Sequence, residues 1–228
     1  MSYEFDFGPT LGSLPYLIRG AGLTLLIAFT SFWLGAVIGL LGALGKTRGG
    51  PGLRRMIAGY VVFMTNTPAL VQVYFVFYGL PAVGITLAPL TAVLIGLVLN
   101  AGAYLTEIIR AGVLSVPKSD LEATEALGFT RLQSVQYIIV PHVLRTVYAP
   151  LVNFFVLLVL GSSVASLFGV EELTGRAINI STTNLRTIET FALVALIYVG
   201  LTLCAQLALN ALDRRPTLRA SAKRSVYG

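Results

Sequence analysis

Four stretches of this sequence run for more than twenty residues without a charged side chain: 20–45, 56–106, 146–170 and 190–212. No other feature constrains the fold as tightly. A helix rises ~1.5 Å per residue, so about twenty apolar residues cross the ~30 Å hydrocarbon core of a bilayer. No water reaches that core to pair with backbone N–H and C=O groups, so a spanning chain must be helical or close into a barrel. Barrel strands are ~10 residues long and alternate in polarity; these runs are longer and do not alternate. A soluble domain would carry ~25% charged residues. This chain carries 11%. The sequence therefore reads as an all-α polytopic membrane protein.

Five transmembrane helices are expected, over about 21–44, 56–79, 89–109, 149–169 and 190–212, within one domain covering 1–228. The basic residues assign the sides. Lys46, Arg48, Arg54, Arg55, Arg110, Lys118, Arg131, Arg145, Arg214, Arg215, Arg219, Lys223 and Arg224 fall on one side, against Arg19, Arg176 and Arg186 on the other. The richer side is cytoplasmic by the positive-inside rule. The N-terminus is then outside and the C-terminus inside. The N-terminal stretch lacks a basic region and carries Glu4 and Asp6, so no cleavable signal peptide is expected and the first span itself directs insertion. The basic tail from Asp213 reads as a frayed cytoplasmic end meeting anionic headgroups. A short outer helix is expected around Leu173 to Ile178. The net charge of +6 lies beside the spans, which reads as membrane orientation and not as a nucleic-acid surface. The single cysteine, Cys204, reads as a small buried hydrophobe.

The longest segment that is neither span nor short connector is Ser119–Arg145, between the third and fourth spans. It contains two helix-start patterns, Ser119-x-x-Glu122 and Thr130-x-x-Gln133, in which a hydroxyl and an acid or amide satisfy orphan amides reciprocally. Gly128 stands where the first helix must stop, since glycine takes the left-handed conformation cheaply. Pro141 is expected to end or kink the second helix. Two short cytoplasmic helices over about 117–142, with a sharp bend between them, are suited to docking in a groove of another protein.

Glu122-Ala123-Thr124, followed by Gly128 and then Ile139-Val140-Pro141, resembles the EAA loop of the membrane subunits of bacterial ATP-binding cassette importers; Thr124 departs from the second alanine. Ala103-Tyr104-Leu105-Thr106-Glu107, Ser115-Val116-Pro117 and Val170-Glu171-Glu172-Leu173 resemble flanking segments in the polar amino acid branch. The resemblance covers about Gly20 to Leu212. It implies a permease subunit of the bacterial inner membrane that forms half of a translocation path. The implied partners are a cytoplasmic ATPase dimer that carries ATP and Mg, a second permease subunit, identical or homologous, and an extracytoplasmic solute-binding protein. It further implies that Glu122, Ala123, Ala126, Gly128 and Arg131 couple the spans to the ATPase. A secondary transporter or channel acting without an ATPase is the alternative, and the absence of internal repeats and of a buried relay carboxylate argues against it.

No cofactor site is expected on this chain. Gly45-Lys46-Thr47 imitates the end of a phosphate-binding loop, but Leu40 stands where its first glycine belongs and a span precedes it, not a strand. Ser162, Ser163 and His142 form no hydrolase constellation, since no G-x-S-x-G elbow is present. Polar groups inside spans are costly and mark candidate function. Thr67, Gln72, Asn100, Tyr104 and Ser162 are candidates to line a central cavity; a packing kink at Pro68 is the other reading of the Thr67–Gln72 part. The family's T-P element usually follows an Arg-containing pair, and Thr65 replaces that Arg. The branch for charged amino acids often carries Lys-Asp-Thr-Ser where this chain has Leu160-Gly161-Ser162-Ser163. Either the ligand is not gripped there, or a second permease supplies the grip. Glu107 and Arg110 read as a snorkelling interfacial pair.

Overall fold

The computed structural model describes residues 5–213. The readings of Glu4 and of the basic tail beyond Asp213 lie outside the described residues. Within them every regular element is helical. A single turn, α1 (Gly8–Gly12), precedes the long α2 (Leu14–Arg48). The second apolar run is two helices, α3 (Pro51–Thr65) and α4 (Ala69–Tyr74), the latter continuing as a π turn (Phe75–Gly79) and a 3₁₀ turn (Leu80–Val83). There follow α5 (Pro89–Leu114), α6 (Lys118–Ala126), α7 (Arg131–Ser134), a π turn (Val135–Ile139), α8 (Val140–Gly161), a 3₁₀ turn (Ser162–Phe168), α9 (Leu173–Asn184) and α10 (Thr187–Asp213). Among the described residues, four helices are long and apolar enough to cross a membrane, or five crossings if the bent α3–α4 pair counts as one.

Three features differ from the sequence reading. The first helix reaches Leu14 and Arg48, well beyond 21–44. The second span is bent by 105° instead of running straight. Pro141 does not end the second short helix, because helical structure continues from Arg131 to Phe168. A residue without an N–H is tolerated there because the π turn just before it shifts the pairing register by one.

Helices α2 and α5 form the central pair, and small residues set their separation. A Cβ added at Gly35 would lie 2.7 Å from the Ala101 Cβ, and one at Gly39 would lie 2.6 Å from the Leu105 Cβ. Only glycine lets the two backbones approach this closely, the usual basis of helix packing in membranes. Apolar clusters fill the rest. Ile27, Val73, Val93, Leu97 and Phe168 join α2, α4 and α5 to the end of the fourth span. Ala28, Ala101, Leu105, Phe154 and Leu158 join α2, α5 and α8. Leu17, Ala21, Leu173, Ala177 and Val194 fix α9 and α10 to the start of α2. Only 6% of the apolar stretch of α10 is buried, so most of that helix faces outward. Cys204 is exposed with it, against the expectation of burial.

Candidate functional site

The bend in the second span is built by Thr65-Asn66-Thr67-Pro68. Pro68 is extended (φ −60°, ψ 137°), and Asn66 ends α3. Val62 O still accepts from the Asn66 N–H at 3.2 Å; the carbonyls after it lack a helical partner, and side chains reach these and the two before them. Thr65 Oγ1 donates to Val61 O, Asn66 Nδ2 to Val62 O and Thr67 Oγ1 to Phe63 O, each at 2.8 Å. Met64 O would have paired with residue 68, which is proline and has no N–H. It accepts instead from Gln72 Nε2 (2.8 Å) and Asn100 Nδ2 (3.2 Å). Tyr104 OH donates to Thr65 O at 3.3 Å, and Gln72 Nε2 also reaches Thr67 O (3.1 Å) and Thr67 Oγ1 (2.7 Å). Four of the five cavity candidates therefore gather at one place, two of them supplied by α5. Gln72 and Asn100 are 6% and 8% exposed, so they stand behind the break, while Tyr104 is at its surface. A pocket of about 210 Å³ beside them is lined by Phe63, Met64, Thr67, Gln72, Gly96 and Leu99. Ser162 is not part of this group: fully buried, it donates to Val159 O at 2.8 Å within its own helix.

The second site is the elbow between α5 and α8. Ser119 caps nothing: the N-cap position belongs to Pro117, whose extended backbone starts α6 two residues earlier, and Asp120 occupies the first turn. At the other end Gly128 is left-handed (φ 71°). Phe129 N donates to Thr124 O (2.9 Å) and Gly128 N to Glu125 O (3.0 Å), the paired bonds of a Schellman stop. Thr130 then forms the expected capping box: its Oγ1 accepts from Gln133 N, and its own N–H donates to Gln133 Oε1 at 2.8 Å. The elbow is thus stopped and restarted within four residues. Glu122, Ala123, Ala126, Gly128 and Arg131 are all exposed, with Leu127 and Leu132 at 73% and 74%. Thr124, the departure from the family triplet, is buried and donates to Leu121 O at 2.7 Å. A cleft of about 640 Å³ between the two helices is lined by Arg48, Leu121, Thr124, Phe129 and Leu132 among others. His142 meets Ser115 Oγ at 3.1 Å, far in sequence from Ser162 and bonded to a different residue.

Two clusters escaped sequence reasoning. Glu107 does pair with Arg110 (2.7 Å), but Lys46 of α2 joins them at 2.5 Å. The 61-residue separation hid that third member. Glu172 is fully buried. Its Oε1 accepts from Gly175 N (3.0 Å), capping α9, and its Oε2 accepts from Thr24 Oγ1 (2.9 Å) and Tyr198 OH (3.1 Å). Thr24 in turn accepts from Leu173 N at 3.1 Å. One carboxylate thereby ties α9 to the first and last spans. An acid directly before an apolar helix start was the available signal.

Comparison with known proteins agrees with this architecture. The family model described as binding-protein-dependent transport system inner membrane component matches residues 35–217. The glutamine transport system permease protein GlnP of Escherichia coli (strain K12) is 35% identical over 214 residues, 93% of this chain and 98% of that protein. The L-cystine transport system permease protein TcyB of Bacillus subtilis (strain 168) is 35% identical over 202 residues, 88% of this chain and 86% of that one. The crystal structure of an amino acid ABC transporter with histidines superposes with a TM-score of 0.87 at 30% identity, over 93% of this chain and 100% of the other. A family match over residues 35–217, 35% identity across nearly the full length of an amino acid permease and the superposition on an amino acid ABC transporter place the chain in the family of binding-protein-dependent transport system inner membrane components, among the amino acid permeases of ATP-binding cassette importers.

Proposed function

We propose that this chain is the permease subunit of an ATP-driven importer of the bacterial inner membrane. It forms half of the path for a polar amino acid or a close relative. Its spans lie with the N-terminus outside and the C-terminus in the cytoplasm, as one transmembrane domain. α6 and α7 are the coupling helices: Glu122, Ala123, Ala126, Gly128 and Arg131 sit against a cytoplasmic ATPase dimer, which holds ATP and Mg. A second permease subunit closes the path, since one small bundle encloses little volume, and an extracytoplasmic binding protein delivers the solute. The chain itself does no covalent chemistry.

The observation that carries this reading is the elbow. A short helix ended by a left-handed glycine and restarted by a capping box has little freedom between its two halves, so a displacement applied to α6 passes to α7 and on into α8 without a hinge. Its exposed Leu127 and Leu132, with Glu122 and Arg131 beside them, suit a protein groove. The names of the relatives, glutamine and cystine permeases, support the amino acid class. Reconstitution in vesicles with the ATPase and binding protein tests it. Accumulation should require ATP hydrolysis; ion-driven flux through the purified chain alone would reject the reading.

A further inference from the structure

Between α2, α8 and α10 lies a groove of about 300 Å³, lined by Phe29, Trp33, Tyr148, Leu151, Phe155 and Leu209 among others. The register of the three helices fixes its depth. On α8 it runs from Tyr148, three residues past Arg145, to Phe155, ten residues past it and ~15 Å along the axis. On α10 it begins at Leu209, four residues before Asp213. On α2 its far wall is Trp33, thirteen residues or ~20 Å before Lys46. The groove therefore opens beside the cytoplasmic charges and ends near mid-bilayer, the depth of one leaflet's ~15 Å of hydrocarbon. All its lining side chains are aliphatic or aromatic. The Tyr148 hydroxyl is turned to Leu209 O, which ties α8 to α10 at the mouth. Trp33 meets Phe29 and Phe32 edge-on at 6.0 and 5.8 Å, and Phe32 meets Phe155 at 5.5 Å. Tryptophan favours the headgroup level; here it stands at mid-depth, 55% exposed, as a wall of the groove.

Width selects the occupant. A volume of about 300 Å³ spread over ~15 Å gives a mean cross-section on the order of 20 Å². That admits one polymethylene chain, whereas a helix with its side chains is ~10–12 Å across. Charge at the mouth selects the headgroup. Arg145 stands at that end, and the sequence follows Asp213 with Arg214 and Arg215; juxtamembrane cations attract anionic lipids. We propose that this groove seats an acyl chain of an anionic phospholipid of the cytoplasmic leaflet, with its headgroup at the Arg145 end. The chain packs against α10 where that helix, 6% buried over its apolar stretch, has little protein to meet. The site rests on the orientation given above and not on the transported solute.

Trp33 is the single tryptophan of the chain, so the groove can be read directly. The full-length chain, with the subunits that co-purify, is reconstituted in phosphatidylcholine vesicles holding a minor fraction of lipid brominated on its acyl chains, either phosphatidylglycerol or phosphatidylcholine. Trp33 emission is taken as the difference between wild type and Trp33→Phe. Brominated phosphatidylglycerol is expected to quench it at an about fivefold lower concentration than brominated phosphatidylcholine, the advantage that one cation gives an anionic headgroup. Leu151→Phe, which fills the groove, and Arg145→Gln are each expected to remove that advantage. Equal quenching by the two lipids in wild type overturns the proposal, and so does weak quenching by both, since protein then covers the groove. An advantage that survives Leu151→Phe also overturns it, because the lipid is then merely enriched around a basic protein. Should either variant fail to fold, Leu203→Trp in a Trp33→Phe background places the probe on the open face of α10, ten residues before Asp213 and 52% exposed as leucine. The advantage is expected at Trp33 and not at that position; equal advantage at both overturns the proposal. Uptake is not measured in these vesicles, so the outcome stands apart from the success or failure of the importer reading.

Discussion

If Met64 O is held by two side chains because proline removed its normal partner, the two should be strongly coupled. Gln72→Met and Asn100→Leu each delete one donor while roughly conserving shape at sites 6% and 8% exposed. Either single variant leaves the carbonyl one partner, at 3.2 Å or 2.8 Å respectively, and should cost ~0.5–1.5 kcal/mol, the range for hydrogen bonds between helices in membranes. The bond from Gln72 to Thr67 O is lost in both the single and the double variant, so it cancels in the cycle. The double variant leaves a buried carbonyl with no donor, which carries a further penalty of ~1–3 kcal/mol. The double-mutant cycle should therefore show a coupling of about 1–2 kcal/mol beyond additivity. Equilibrium unfolding in mixed micelles, followed by circular dichroism as the denaturing detergent fraction rises, gives all four stabilities. Additivity within ~0.5 kcal/mol would mean that Met64 O finds another donor, and that proline alone does not explain how the break is held.

Three further perturbations follow from the same coordinates. A methyl at Gly39 would press on the Leu105 backbone carbon at 2.9 Å, whereas one at Gly22 meets nothing within 4 Å. Gly39→Ala should cost ~1–3 kcal/mol by overpacking while Gly22→Ala stays neutral, read from melting temperatures of the purified protein. Gly128→Ala has open space around it but a φ of 71°, so it should cost ~1–2 kcal/mol in α6; Gly128→Pro also deletes the donor to Glu125 O and should abolish ATPase association while membrane insertion survives, checked by co-purification. Glu172→Ala strands Thr24, Tyr198 and the Gly175 amide and should cost on the order of 3 kcal/mol. Glu172→Gln should cost much less, because both hydroxyls can turn round to accept, and chemical unfolding of the two variants compares them.

What the sequence disclosed was local chemistry. Uncharged runs gave the helical membrane class, and Gly128 and Thr130-x-x-Gln133 gave the elbow almost to the residue, because caps depend on neighbours three or four positions away. Ser119 misled because Pro117 had already set the helix start, a competition that spacing alone cannot weigh. Pro141 did not stop the helix, because a π turn, which has no sequence signature, stands just before it. Thr67, Gln72, Asn100 and Tyr104 do come together as a group, because polar side chains in a span seek the carbonyls a proline frees. Ser162 looked alike in sequence but satisfies its hydroxyl within its own turn. Lys46–Glu107 and Glu172–Thr24–Tyr198 join residues far apart in the chain, and only the packing of α2 against α5 and α9 reveals them.

Whether the elbow meets a motor can be decided by a single contact. Ala126→Cys, in a Cys204→Ser background, carries a short thiol–amine crosslinker in native membranes that also contain the ATPase. One crosslinked species containing the ATP-hydrolysing subunit is expected, with a yield that changes when ATP is trapped. If the introduced thiol never captures that subunit while uptake remains ATP-driven, the coupling role of α6 and α7 is contradicted.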